Sequence, residues 1–145
     1  MKITRKLTIT KDEFFDYLES QLLKIANDNL EESQEAYTNT DIHDGFLIIQ
    51  NRDTEVNKIE LLIDKYNRGE LYQATAKSLT DSYRMSYFVR DLGDAIEVDY
   101  EQINLNDFSS ERKGIFAKFG DALYLSRMSN SLYDVQNSIL KSRLS

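Results

Sequence analysis

The side chains able to do chemistry are few, and their types narrow the field at once. Cysteine is absent and His43 is the sole histidine, which excludes a cysteine nucleophile, a thiolate metal site and any disulfide, and leaves little for histidine-rich metal ligation. Carboxylate-only metal sites stay open. No phosphate-cradling glycine loop, nucleophile elbow or paired zinc motif occurs. What the chain offers instead is phenol. Tyr72, Tyr83, Tyr87 and Tyr100 fall at alternating positions of successive strand-like segments, with Met85 between two of them. A tyrosine brings apolar area plus a hydroxyl that needs a partner once buried, which suits a pocket for a mostly apolar molecule with a few polar handles. The same residues also suit a plain sheet, with phenols reaching solvent at strand ends or bonding to backbone.

Arg5 shares a strand face with Ile3, Leu7 and Ile9. A guanidinium on an inward face demands an anion. Either a ligand carboxylate or phosphate is held bidentately, or an internal Asp or Glu pairs with it, or a strand end lets it snorkel to water. His43, in Asp41-Ile42-His43-Asp44-Gly45, has carboxylates beside it as a base or a metal loop would, but its polar turn favours solvent exposure. Asp41, Asp44 and Gly45 lack the further alternating acids and closing Glu of a calcium loop. Glu97, Asp99 and Glu101 line one strand face, and burying three like charges together is expensive, so a solvated surface is expected there. No catalytic residue is assigned, and neither a metal nor a cofactor is expected.

The elements that must position these residues follow from periodicity. Ile3, Arg5, Leu7 and Ile9 alternate with Lys2, Thr4, Lys6 and Thr8 in a first strand. Thr10-Lys11-Asp12-Glu13 has the form of a capping box, opening a helix over 11–27 whose apolar positions Phe14, Phe15, Leu18, Leu22, Ile25 and Ala26 lie on one side, with Asp16, Glu19 and Lys24 elsewhere. A short helix is expected around Glu31–Ala36, and Asp44-Gly45 turns the chain into strands. These are Phe46–Gln50, Val56–Tyr66 with Ile59, Leu61 and Ile63 on one face, Leu71–Leu79, the segment holding Tyr83 to Val89, and a last strand with Ile96, Val98 and Tyr100 on one face. Turns at Asn67-Arg68-Gly69, Thr80-Asp81-Ser82 and Asp91-Leu92-Gly93-Asp94 are short enough to imply an antiparallel meander. In the last third, Ile115, Phe116, Phe119 and Leu123 cluster about 150° from Leu125, Met128, Leu132, Val135 and Ile139 on a helical wheel. One straight helix cannot bury both stripes. A break at Gly120-Asp121 is expected, followed by a long helix over 122–142. The inward strand faces then present Leu7, Tyr72, Tyr83, Met85, Tyr87, Val98 and Tyr100 toward Leu125, Met128 and Leu132.

Composition bounds the class. The 145 residues are 41% hydrophobic and 11% aromatic, a globular rather than a disordered composition, and a chain of this length is expected to form one domain over 1–145. There is no proline, against about seven in an average chain of this size, and no linker-like or repeated stretch. The longest purely apolar run, Phe46-Leu47-Ile48-Ile49, is far short of the roughly 20 residues that span a bilayer, and no signal segment opens the chain, so a cytoplasmic address is expected. Net charge is −7. Residues 1–11 carry four bases and no acids, 112–145 six bases and two acids, and 12–111 eight bases against 23 acids. Bases so dispersed do not form a nucleic-acid site; basic ends and an acidic centre attract one another.

Strand, helical segment, antiparallel meander and long C-terminal helix is the element order of the helix-grip fold of START-like and birch-pollen-allergen-like proteins. The chain resembles that superfamily over nearly its whole length. More closely, the first strand leading into Thr10-Lys11-Asp12-Glu13-Phe14-Phe15-Asp16-Tyr17-Leu18, with Val98-Asp99-Tyr100-Glu101 in the last strand, resembles a Gram-positive bacterial family of unknown function. The resemblance implies an α+β fold with a sheet curved around the long helix, and between them a cavity for a lipid, sterol, polyketide or other apolar molecule. Some members of the superfamily are enzymes such as cyclases or dehydratases, and others regulate partner proteins by binding them, so the fold alone does not fix the activity.

The residues and the resemblance lead to one primary expectation: a small protein that binds an apolar or amphipathic molecule between sheet and C-terminal helix. Arg5, Tyr72, Tyr83, Met85, Tyr87, Tyr100 and Met128 are its candidate contacts. An enzyme in the same cavity is the second reading and would need a titratable group of perturbed pKa inside it. The third is an interaction module with a filled core that binds a protein or a second copy of itself.

Overall fold

The computed structural model describes residues 2–28, 30–105 and 131–144. In chain order these form β1 (Lys2–Leu7), α1 (Lys11–Asp28), a 3-10 turn (Asn39–Asp41), β2 (Leu47–Gln50), β3 (Ile59–Asn67), β4 (Leu71–Lys77), β5 (Ser82–Asp91) and β6 (Ile96–Asn104). Residues 131–142 are helical and are called α2. The strands make one six-stranded sheet in the order β1-β6-β5-β4-β3-β2, each neighbouring pair antiparallel. The meander from β2 to β6 is the expected one, and β1 closes it by pairing Ile3 with Tyr100 and Arg5 with Val98.

That closure puts β1 and β2 on opposite edges, so the chain between them must cross the sheet. Six strands span about 24 Å at the usual interstrand spacing, and the 18 residues of α1 reach about 27 Å. The helix touches both β2 and β5, burying Phe14, Phe15, Leu22 and Ala26 against the same sheet face that carries Leu7, Val89, Ile96, Val98 and Tyr100. It starts as expected: the Thr10 amide donates to Glu13 Oε1 at 2.9 Å and the Glu13 amide to Thr10 Oγ1 at 3.2 Å. The helix α2 lies on this inner face too, with Leu132 and Ile139 buried among Ile3, Leu7 and Val98. Its stripe at Leu132, Val135 and Ile139 is the expected one. The expected break at Gly120-Asp121, the first C-terminal stripe, and Leu125 and Met128 lie outside the described residues.

Three local expectations are corrected. No helix forms at Glu31–Ala36; Gln34 N–H donates to the Glu31 carbonyl at 3.1 Å in a single turn, with Ser33 at φ 71°. A six-residue helix with three glutamates and no apolar stripe has nothing to offset its nucleation cost. The strand expected from Val56 starts at Ile59, because Asn51 Nδ2 donates to the Asn57 carbonyl and folds 51–58 into turns. The third concerns Glu19, placed on the polar side of α1: it is buried at 6% exposure. At Gly69 both backbone and space favour glycine. Its φ is +97°, and a Cβ there would stand 3.3 Å from the Lys11 side chain.

The end of α2 is fastened to the β1–α1 junction. The Thr8 amide donates to Gln136 Oε1 at 2.7 Å, and Arg143 Nε donates to Glu13 Oε2 at 2.7 Å. The Arg143 hydrogen bond is the main reason that the Glu13 carboxyl falls from its ordinary 4.5 to about 2. Asp99, bonded to Arg90 and then to Thr4, falls from 3.8 to about 2. Both carboxyls titrate lower in the folded than in the unfolded chain. Their contribution is therefore complete above the ordinary carboxylate values and is lost as pH falls toward 2. Glu13→Gln should accordingly show a shallower fall of melting temperature between about pH 6 and pH 3 than the native chain. Thermal unfolding across that range checks this, and an unchanged acid slope would contradict the assignment.

Candidate functional site

Strand register places four tyrosines in one line across the inner face. Tyr66 of β3 faces Tyr72 of β4, Tyr72 faces Tyr87 of β5, and Tyr87 faces Tyr100 of β6. Ring centroids along the line are 6.2, 5.8 and 4.7 Å apart, within the range in which tilted and edge-on aromatic pairs attract. The helix α1 adds Phe15 at 6.1 Å from Tyr66 and Phe14 at 6.2 Å from Tyr87, and these two phenylalanines meet edge-on at 5.4 Å. Phe14, Phe15, Tyr66, Tyr72 and Tyr87 thus close a ring of aromatic contacts, with Tyr100 attached.

The expected site residues divide around this line. Tyr72 and Tyr100 are buried, and Tyr87 is half-buried. Met85, also half-buried, lies one rung away, opposite Ala74 and Gln102; Tyr83 lies one rung further, opposite Ala76 and Asn104. Arg5 lies on the other side of the line, opposite Val98, and its Nη1 donates to the Thr4 carbonyl at 2.7 Å. Three rungs separate Arg5 from Tyr83, about 20 Å along the strands, so one compact molecule does not reach both. Met128 is outside the described residues.

The phenols meet different fates. Tyr100 donates to Gln102 Oε1 at 2.9 Å. Tyr66 donates to Glu19; burial first, and then this bond to a carboxylate, push its hydroxyl well above the ordinary value of 10. Tyr72 is 3% exposed, and burial, with the Asp64 charge behind it, likewise pushes its hydroxyl well up. Among the described residues no hydrogen-bond partner meets the Tyr72 hydroxyl. Tyr66 and Tyr72 therefore stay protonated near neutral pH and act as neutral donors rather than bases.

Glu19 holds the end of this array. Its carboxylate accepts from Tyr66, from Asn39 Nδ2 at 3.0 Å and from Arg68, whose Nη1 stands 2.9 Å away. Arg68 also reaches Asp16 at 2.6 Å. Glu19, Tyr66, Arg68 and Asn39 were not among the expected site residues. Glu19 was detectable, since Phe15, Glu19, Leu22 and Ala26 follow the four-three-four spacing of a single helix face. Tyr66 was not: counting by twos from Ile59, Leu61 and Ile63 sends it outward, and the register shift between Ile63 and Lys65 turns it in.

Elsewhere, His43 is exposed, with Nδ1 2.9 Å from the Asp44 carbonyl. Glu97 and Asp99 lie on the outer face, bridged by Arg90. Among the described residues no group of three or more acids and histidines could hold a metal ion, and no helix is long and apolar enough to cross a membrane. An open depression of about 560 Å³, apart from the tyrosine line, is walled by Asn51, Asp53, Thr54, Asn57 and Ser78 with Val56 and Ile59.

Removing Glu19 should be costly where removing its exposed neighbour is not. Glu19→Ala leaves the Tyr66 hydroxyl and Asn39 without their acceptor and should destabilise the fold by about 2 kcal/mol. Asp16→Ala, at a solvent-exposed ion pair, should cost less than about 0.5 kcal/mol. Equilibrium denaturation of both variants tests the contrast, and equal losses would refute it.

The sequence matches the family described as Domain of unknown function (DUF3284) over residues 1–124, and it matches no curated protein. Among solved structures, Ara h 8.0201 superposes with a TM-score of 0.55 at 9% identity, covering 97% of each chain. A protein of unknown function from Staphylococcus aureus gives 0.54 at 16% identity, covering 99% of this chain and 95% of its own. Norcoclaurine synthase from Thalictrum flavum, in complex with a transition state analogue, gives 0.52 at 12% identity, covering 99% and 94%. At such identities the likeness is one of fold: the chain has the helix-grip α+β architecture.

Proposed function

This chain belongs to the DUF3284 family, and from that premise we propose that it binds a mostly apolar small molecule against the inner face of its sheet, on the side that the C-terminal helix covers. The observation that carries the reading is the half-buried patch of Tyr83, Met85 and Tyr87. It sits on a face whose neighbouring positions Tyr72, Ala74, Ala76, Val98 and Tyr100 are buried. Alanines at 74 and 76 keep the floor low beside Met85 and Tyr83, and apolar walls with a few convergent hydroxyls are what a small-molecule site requires. In this reading Tyr83, Met85 and Tyr87 border the molecule while Tyr72 and Tyr100 lie beneath it. Arg5, across the tyrosine line, has no part in it.

Denaturing extraction of the protein purified from the cells that make it, followed by mass spectrometry, tests the reading. The expected result is a stoichiometric apolar or amphipathic species that is lost from a Tyr87→Ala variant of native-like circular dichroism. Empty extracts, together with no binding of an apolar fluorescent dye, would overturn it.

A further inference from the structure

The Tyr72 hydroxyl sets the chemistry of what such a site would hold, and the inference rests on the binding reading above. Tyr72 is almost wholly buried and makes ring contacts with Tyr66 and Tyr87. Its cross-strand neighbours spend their hydroxyls on the protein: Tyr66 on Glu19 and Tyr100 on Gln102. Tyr72 alone of these three has no hydrogen-bond partner among the described residues. A buried donor left unmade is costly, and proteins retain one where something else completes it. Among the described residues no fully enclosed side-chain nitrogen or oxygen lacks a partner, so the Tyr72 oxygen keeps contact with open space.

We infer that Tyr72 donates a hydrogen bond to an uncharged oxygen, a carbonyl or ether, on a flat and otherwise apolar ligand. A flat aromatic body suits the surface, where rings tilted to one another offer edge and face contacts beside the low alanine positions. Neutrality follows from the charges around it. Asp64, the carboxylate that acts on the Tyr72 hydroxyl, is paired with Arg84 at 3.6 Å and accepts from Thr75 at 2.6 Å, so it recruits neither an anionic nor a cationic head group. Among the described residues the inner face carries the cation Arg5, which lies across the tyrosine line and donates from its guanidinium to the Thr4 carbonyl. The buried Glu19 carboxylate is already held by Arg68, Tyr66 and Asn39, at the end of the line away from Tyr100.

Three molecules that share one skeleton separate the possibilities: 2-acetylnaphthalene, 2-ethylnaphthalene and 2-naphthoate. Each is titrated against the full chain loaded with N-phenyl-1-naphthylamine, whose fluorescence reports displacement. The expected order is ketone first, displacing at about tenfold lower concentration than the ethyl compound, with the carboxylate weakest. In Tyr72→Phe the ketone should lose that advantage while the ethyl compound is unchanged. A ketone no better than the ethyl compound in the native chain, an advantage that survives in Tyr72→Phe, or a preference for the carboxylate would each overturn the inference and leave the binding reading standing. Absence of dye binding to the native chain would overturn both. If Tyr72→Phe does not fold, the order of the three molecules on the native chain decides alone.

Discussion

The pairing of β1 with β6 is the constraint from which the rest of the structure follows. It sends β1 and β2 to opposite edges of the sheet, so the intervening chain has to traverse one face, and an amphipathic helix of 18 residues is a unit of the right length to do so. Once α1 lies there, that face is the inside. Strand positions on it must be apolar or must satisfy their polar atoms within the protein, while the outer face is free to carry ion pairs such as Arg90 with Glu97 and Asp99. The Arg143–Glu13 pair and the Thr8–Gln136 bond then hold α2 to the same junction from which α1 departs.

Glu19 shows how the inner face tolerates a charge. A carboxylate under a helix is sustained only if donors converge on it, and here three do, each from a different part of the chain: Tyr66 in β3, Arg68 in the β3–β4 turn and Asn39 in the 3-10 turn. These donors tie the helix to the turns that flank β2 and β3. They also orient Tyr66, the first ring of the cross-strand line, so the geometry of the aromatic face is coupled to an electrostatic contact at its edge.

Much of this architecture was legible in the residues, for identifiable reasons. Alternation in β4, β5 and β6 is strict, so Tyr72, Met85, Tyr87, Val98 and Tyr100 could be assigned to the inner face by counting in twos. The capping box at Thr10 and Glu13 announced α1. Illegible features were those that depend on contacts distant in sequence or on a single irregular residue. The irregularity near Asp64 reverses the phase of β3 at Tyr66, and no local pattern in Asp64-Lys65-Tyr66 signals it. Glu19 reads as outward by its charge, while its spacing from Phe15 and Leu22 places it inward, where it is found. The expected helix at 31–36 had propensity but no apolar stripe, and without tertiary packing a single turn was favoured.

The distribution of polarity on the inner face bears on selectivity. Among the described residues Glu19 is held by three donors and Arg5 lies on the far side of the tyrosine line, so the polarity of the central face is carried by neutral groups, the phenols with the Gln102 and Asn104 amides beside them. A neutral donor in an apolar setting attracts weakly at a distance and discriminates strongly in contact, because a molecule without a matching oxygen leaves the donor buried and unpaired. In such a face the penalty for the wrong molecule, more than any added attraction for the right one, determines what is retained. Tyr66 and Tyr100, satisfied within the protein, add apolar area to that surface without adding a polar demand. Among the described residues of the line, Tyr72 is a buried phenol whose hydroxyl no protein partner meets.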